Sequence, residues 1–108
     1  MAKKLSKKIR QEIKEYVDIL KKEIPVQKVI IYGSHARGRA RPDSDIDLAI
    51  VSSVFGKKYQ AAGKYLFRKL WDLKKTRIEP IPYAPSDFRS SKISPLLSEI
   101  IKYGIEVK

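Results

Sequence analysis

Apolar residues recur at steps of three and four through Leu5, Ile9, Ile13, Tyr16, Val17, Leu20 and Ile24. That is the period of one helix face, so residues 5–23 are expected to form an amphipathic helix. Pro25 ends it, since proline lacks the N–H a helix interior needs. Val29-Ile30-Ile31-Tyr32 is a short β-branched and aromatic run closed by Gly33-Ser34, the pattern of a buried strand. Ser34 can cap a single helical turn ended by Gly38, and residues 39–44, with Pro42 and Asp43, read as a loop. A second strand follows over 46–51, a loop over 52–58, and a helix over 59–73 whose apolar face carries Ala62, Leu66, Phe67, Leu70 and Trp71. Residues 77–83 alternate as a third strand, 94–103 form a last helix capped by Gly104, and 105–107 add a short final strand.

This order predicts one domain, residues 1–108, of the α+β (mixed α/β) class: a small mixed sheet of three to four strands flanked by helices. Pro80 and Pro82 sharpen the sheet. Residues two apart point their N–H groups to the same edge, and proline has none, so one edge of the third strand is unpaired while the other can join residues 46–51.

Composition narrows the function classes. The chain has 108 residues and no cysteine, which excludes disulfides, thiolate zinc sites and cysteine nucleophiles. No segment approaches the roughly 20 apolar residues of a membrane span, and no signal-peptide pattern follows the lysine-rich start, so a cytoplasmic location is expected. The net charge is +12, and residues 1–41 hold 12 of the 24 Lys and Arg against four acids. Such an excess suits an anionic partner or, equally, a solvated Lys/Glu-rich surface. Arg37, Arg39 and Arg41 lie between the glycine turn and the acidic strand; function is expected of at least one, while Arg39 and Arg41 suit solvated loop charges better than phosphate contacts.

Asp45 and Asp47 stand two apart, so on a strand both leave one face while Ile46, Leu48 and Ile50 enter the core. Adjacent carboxylates repel unless a cation lies between them, and Mg²⁺ prefers carboxylate ligands. Just upstream, the Gly33-Ser34 turn offers backbone N–H groups and a hydroxyl to phosphate oxygens, with Arg37 projecting from the same turn. Gly33 and Gly38 have the spacing of a P-loop, but Arg39-Ala40 replaces the required Lys-Ser or Lys-Thr, and that reading fails. His35 is expected at the surface; Tyr65, Phe67 and Trp71 suit a core or an interface better than a base-stacking platform.

Gly33-Ser34, Ala36-Arg37-Gly38 and Ser44-Asp45-Ile46-Asp47-Leu48 resemble the G-S-x-A-R-G…S-D-x-D-L signature of nucleotidyltransferase domains of the DNA polymerase β superfamily, especially its minimal members. The resemblance runs from the first helix to Tyr103-Gly104-Ile105-Glu106. It implies the polymerase-β-like fold and magnesium-dependent transfer of a nucleoside monophosphate, AMP from ATP, to an acceptor hydroxyl. Gly33, Ser34 and Arg37 would hold the nucleotide. Asp45, Asp47 and Glu79 would serve two Mg²⁺ ions, with Glu79 standing where the family more often has aspartate and helping to deprotonate the acceptor. Minimal members pair with a small helical HEPN-type protein, often as antitoxin with toxin, so such a partner or a homodimer would complete the site. The competing function is a weak or inactive subunit that neutralises or scaffolds its partner. Direct nucleic-acid binding rests on charge alone and is not expected.

Overall fold

The computed structural model describes residues 5–41, 44–56, 59–73, 77–90 and 92–107. Helix α1 spans Lys7–Lys21, its N-terminus fixed by the Ser6 hydroxyl accepting the Ile9 N–H. It stops four residues short of Pro25, because residues 22–24 close into tighter turns on Ile19 and Leu20. Strands β1 (Lys28–Tyr32) and β2 (Ile46–Val51) are followed by helix α2 (Tyr59–Leu73), strand β3 (Ile78–Tyr83), helix α3 (Pro95–Tyr103) and strand β4 (Ile105–Val107). Short 3-10 turns at Ser53–Phe55 and Pro85–Arg89 complete the described elements.

The strands form one mixed sheet in the order β3-β2-β1-β4. β1 runs antiparallel to both β2 and β4, whereas β2 and β3 are parallel, joined by the α2 crossover. β3 is an edge strand, as its prolines require. Arg77 and Tyr83 give their carbonyls to Ile46 and Ser52 on β2's side, so the odd positions face β2 and Pro80 and Pro82 turn their nitrogens outward.

Strand alternation separates two apolar layers. Val29, Ile31, Ile46, Leu48, Ile50 and Ile78 pack against α1 and α2 as the main core. On the other face Ala49 meets Leu97 and Ile100 of α3, with Ile30, Tyr32, Ile81 and Tyr83 around them. Gly104 permits the turn from α3 into β4, because a Cβ there would collide with the Ile100 carbonyl and with Ile30.

Two corrections concern α2. Ala62, Leu66 and Leu70 are buried as expected, but Phe67 is 50% and Trp71 83% exposed. Each lies one position after a buried leucine, about 100° round the helix, outside the stripe that meets the sheet. Their place is the surface.

Helices α1 and α2 are tied by Tyr16, fully buried, whose hydroxyl donates to the Leu66 carbonyl at 2.7 Å. Burial pushes that phenol well above its ordinary pKa, so it remains a neutral donor. Tyr16→Phe should lower unfolding free energy by about 1 kcal/mol, measured by chemical denaturation, because it removes one buried hydrogen bond and little apolar contact.

Candidate active site

The register aligns three polar side chains in a row. Tyr32 is opposite Asp47, and Asp47 is opposite Glu79, across β1, β2 and β3. Since Ile46 and Leu48 are fully buried towards α1 and α2, alternation puts Asp47 on the α3 side. Asp45 sits just before β2, which begins at Ile46, and is exposed. It is therefore a loop residue at the strand's mouth rather than part of the strand. The Ile46 N–H donates to the Arg77 carbonyl at 2.8 Å, which anchors the backbone between the two aspartates and draws the start of β3 alongside. Arg77 itself grips Glu12 of α1 through 2.8 and 2.9 Å bonds.

Gly33 adopts φ +74°, and a Cβ on it would run into the Asp47 carboxylate. The turn needs a glycine twice over, for the left-handed backbone and for the space. After it the chain makes one helical turn, with Arg37 N–H donating to the Gly33 carbonyl at 3.1 Å and Arg39 N–H to the Ser34 carbonyl at 2.9 Å, and Gly38 leaves at φ +72°. Backbone bonds hold this turn; no Ser34 side-chain cap is formed among the described residues.

The electrostatics follow from three acids crowded together. Half-burial and then the Asp45 charge raise the Asp47 carboxyl above its ordinary range, with His35 opposing the rise and Glu99 adding to it. A hydrogen bond shared with Asp45 raises Glu79, aided by desolvation and by both aspartates. Burial and the neighbouring carboxylates raise Tyr32 as well. The row is short of positive charge, which fits a divalent cation. Among the described residues no three His, Cys, Asp or Glu are grouped closely enough to hold an ion by themselves. Mg²⁺ commonly takes one or two carboxylates and completes its shell with phosphate oxygens and water, and this donor set suits that mode.

A pH effect follows. Folding raises the pKa of Asp47, so above the ordinary carboxylate range the ionised group costs the native state stability, and the cost is relieved as pH falls through the raised value. Without metal, Asp47→Asn should melt above the parent at neutral pH, and the gap should close as the buffer is acidified towards pH ~4. Thermal denaturation of both proteins across that range checks it.

The Arg37 guanidinium lies 4.4 Å from the centroid of the Tyr103 ring, a cation–π contact with the last turn of α3. His35 is part-buried, not a bare surface residue, and its Nε2 stands 3.3 Å from the Ser44 carbonyl oxygen, linking the glycine turn to the segment before Asp45. Ser44 also accepts the Arg41 N–H at 2.8 Å. Pro42 and Asp43 lie outside the described residues. The sequence reading missed Tyr32, Glu99 and Tyr103. Tyr32 was in reach, because it is the strand residue next to Gly33; Glu99 and Tyr103 share the i, i+4 spacing of one helix face, but nothing in that spacing says the face meets β1.

The nucleotidyltransferase domain family matches residues 13–105. A Methanocaldococcus jannaschii protein provisionally described as a protein adenylyltransferase is 46% identical over 44 residues, 39% of this chain and 44% of the relative, so the match spans less than half of that protein. Among solved structures, a provisionally assigned nucleotidyltransferase from Sulfolobus solfataricus superposes with a TM-score of 0.69 at 20% identity, over 92% of this chain and 78% of its own. A toxin–antitoxin with AMP-PNP gives 0.61 at 21% identity, over 90% and 70%. A mutant of the toxin–antitoxin MntA–HpeT gives 0.58 at 18%, with the same coverage. At these identities the structural likeness establishes the fold, and it bears out the expected small mixed sheet of three to four strands flanked by helices, which has four.

Proposed function

The chain belongs to the nucleotidyltransferase domain family, and on that premise we propose that it transfers AMP from ATP to a hydroxyl of a partner protein, in the cytoplasm, with two Mg²⁺ ions. The observation that carries this reading is the convergence of Asp45, Asp47 and Glu79 in front of the Gly33-Ser34 turn. The names of the M. jannaschii relative and of the AMP-PNP complex support the adenylyl group and the protein acceptor.

In this reading the acceptor oxygen attacks the α-phosphorus as the α–β phosphoanhydride bond breaks and pyrophosphate leaves. Glu79, exposed on the edge strand, takes the hydroxyl proton; its raised affinity for protons suits that task. Asp45 and Asp47 would hold Mg²⁺, which would supply charge neutralisation at the triphosphate. The backbone of the Gly33-Ser34 turn orients the phosphates, and Arg37 exchanges its Tyr103 contact for one to phosphate or keeps α3 against the turn. Glu99 faces the same row and adds negative charge on the side α3 closes.

The partner in this reading is a small helical protein of HEPN type; the two toxin–antitoxin neighbours support a role that needs a protein partner. Incubating both chains with isotope-labelled ATP and Mg²⁺, then weighing each intact by mass spectrometry, should find one or more AMP groups on the partner only. An unmodified partner with intact ATP after prolonged incubation would favour the scaffolding role.

A further inference from the structure

A second feature lies beside the carboxylates. A groove of about 460 Å³ runs between the N-terminal end of α1 and the stretch from His35 to Arg41. Leu5, Ile9 and Ala40 provide apolar wall, and Lys8 and Arg41 stand over it exposed. Among the described residues no carboxylate lines the groove, and neither Lys8 nor Arg41 has an acidic partner. None of Gly33, Ser34, Arg37, Asp45, Asp47 or Glu79 lines it either, so it is not where the triphosphate would be held. It nevertheless reaches the site, because two of its lining residues do. His35 contacts the Ser44 carbonyl, directly before Asp45, and Arg77 binds the Ile46 backbone and lies two residues before Glu79.

We propose that this groove receives an acidic segment of the acceptor protein, with Lys8 and Arg41 as its charge contacts. The proposal rests on the reading of the site as a protein-directed transferase and names the kind of substrate it takes: a hydroxyl-bearing residue flanked by Asp or Glu. Three observations select a peptide. Cations over an apolar floor match a chain that alternates carboxylates with carbon-rich side chains. The net charge of +12 draws such a segment in. A single nucleic-acid strand would want exposed aromatic rings to stack its bases, and the lining has no Phe, Tyr or Trp. Its one ring, His35, is part-buried and engaged with the Ser44 carbonyl, and Phe67 and Trp71 stand elsewhere, on α2.

The test uses the full chain in EDTA, without nucleotide, at low ionic strength. Binding of a fluorescent tyrosine peptide flanked by glutamates is compared with its glutamine counterpart and with a short oligothymidylate, by anisotropy. Two exposed ion pairs predict about 5- to 10-fold tighter binding of the glutamate peptide. Lys8→Glu/Arg41→Glu should abolish or invert that preference; both side chains are exposed and leave the core untouched. In the transfer assay the same variant should raise KM for an acidic acceptor and leave KM for ATP unchanged. A preference that survives charge reversal overturns the proposal. So does oligothymidylate binding that exceeds peptide binding and is lost in the variant, which would make the groove a nucleic-acid track. Because binding is read without metal or ATP, its outcome stands apart from whether Asp45 and Asp47 catalyse transfer.

Discussion

Asp45→Asn/Asp47→Asn will abolish nucleotidyl transfer, by at least about 1000-fold, while the folded chain becomes more resistant to heat in the absence of metal. Loss of charge stabilisation at a reacting phosphate has a cost of that order, since removing a single oriented donor from a transition-state site already costs 100- to 1000-fold. Stability moves the other way because the clustered acids raise one another's proton affinity and so cost the metal-free fold stability. Asp47 is raised by half-burial and by Asp45, and Glu79 by a bond to Asp45 and by both aspartates. Asparagine keeps their shape and removes the repulsion. Kinetics and thermal denaturation on one preparation check both halves. Activity within 10-fold of the parent would mean that the acids are not the reaction's charge centre.

Gly33→Ala will damage both the fold and the site. At φ +74° an alanine is strained by about 1–2 kcal/mol, and its Cβ must also displace the Asp47 carboxylate. Together these should lower unfolding free energy by about 2–4 kcal/mol. A carboxylate moved on the order of 1 Å costs about 100-fold in rate. Circular dichroism in the cold confirms that the variant folds, after which kcat and the metal concentration for half-activity are read. A variant as active as the parent would show that the turn has no part in placing Asp47.

Much of this site could be read from the chain alone. Residues 46–51 and 59–73 carry their own limits, because alternation and helical period stop cleanly at Ser52 and at the lysines after Leu73. Pro80 and Pro82 announced the edge strand through chemistry that owes nothing to tertiary context. Glu79 was reached through the family resemblance, as the carboxylate on the third strand; the parallel register that sets it opposite Asp47 could not be read from the sequence. What stayed hidden depends on which surface meets which. Phe67 and Trp71 are apolar at helical spacing, yet only the docking angle of α2 decides whether that flank meets the sheet. The contribution of α3 could not be read, because Glu99 and Tyr103 gain meaning only when α3 lies over the Tyr32–Asp47 row. The expected helix to residue 23 overshot, since apolar spacing continues to Ile24 although the backbone has already tightened.

A crystal structure grown with Mn²⁺ and a non-hydrolysable ATP analogue will show whether Asp45, Asp47 and Glu79 form a metal-dependent nucleotidyl-transfer site. Anomalous scattering should place Mn²⁺ between Asp45 and Asp47, at about 2.0–2.3 Å from their oxygens, with the analogue's phosphates against the Gly33-Ser34 turn. Metal and nucleotide found away from these residues, or no anomalous peak at saturating Mn²⁺, would contradict it.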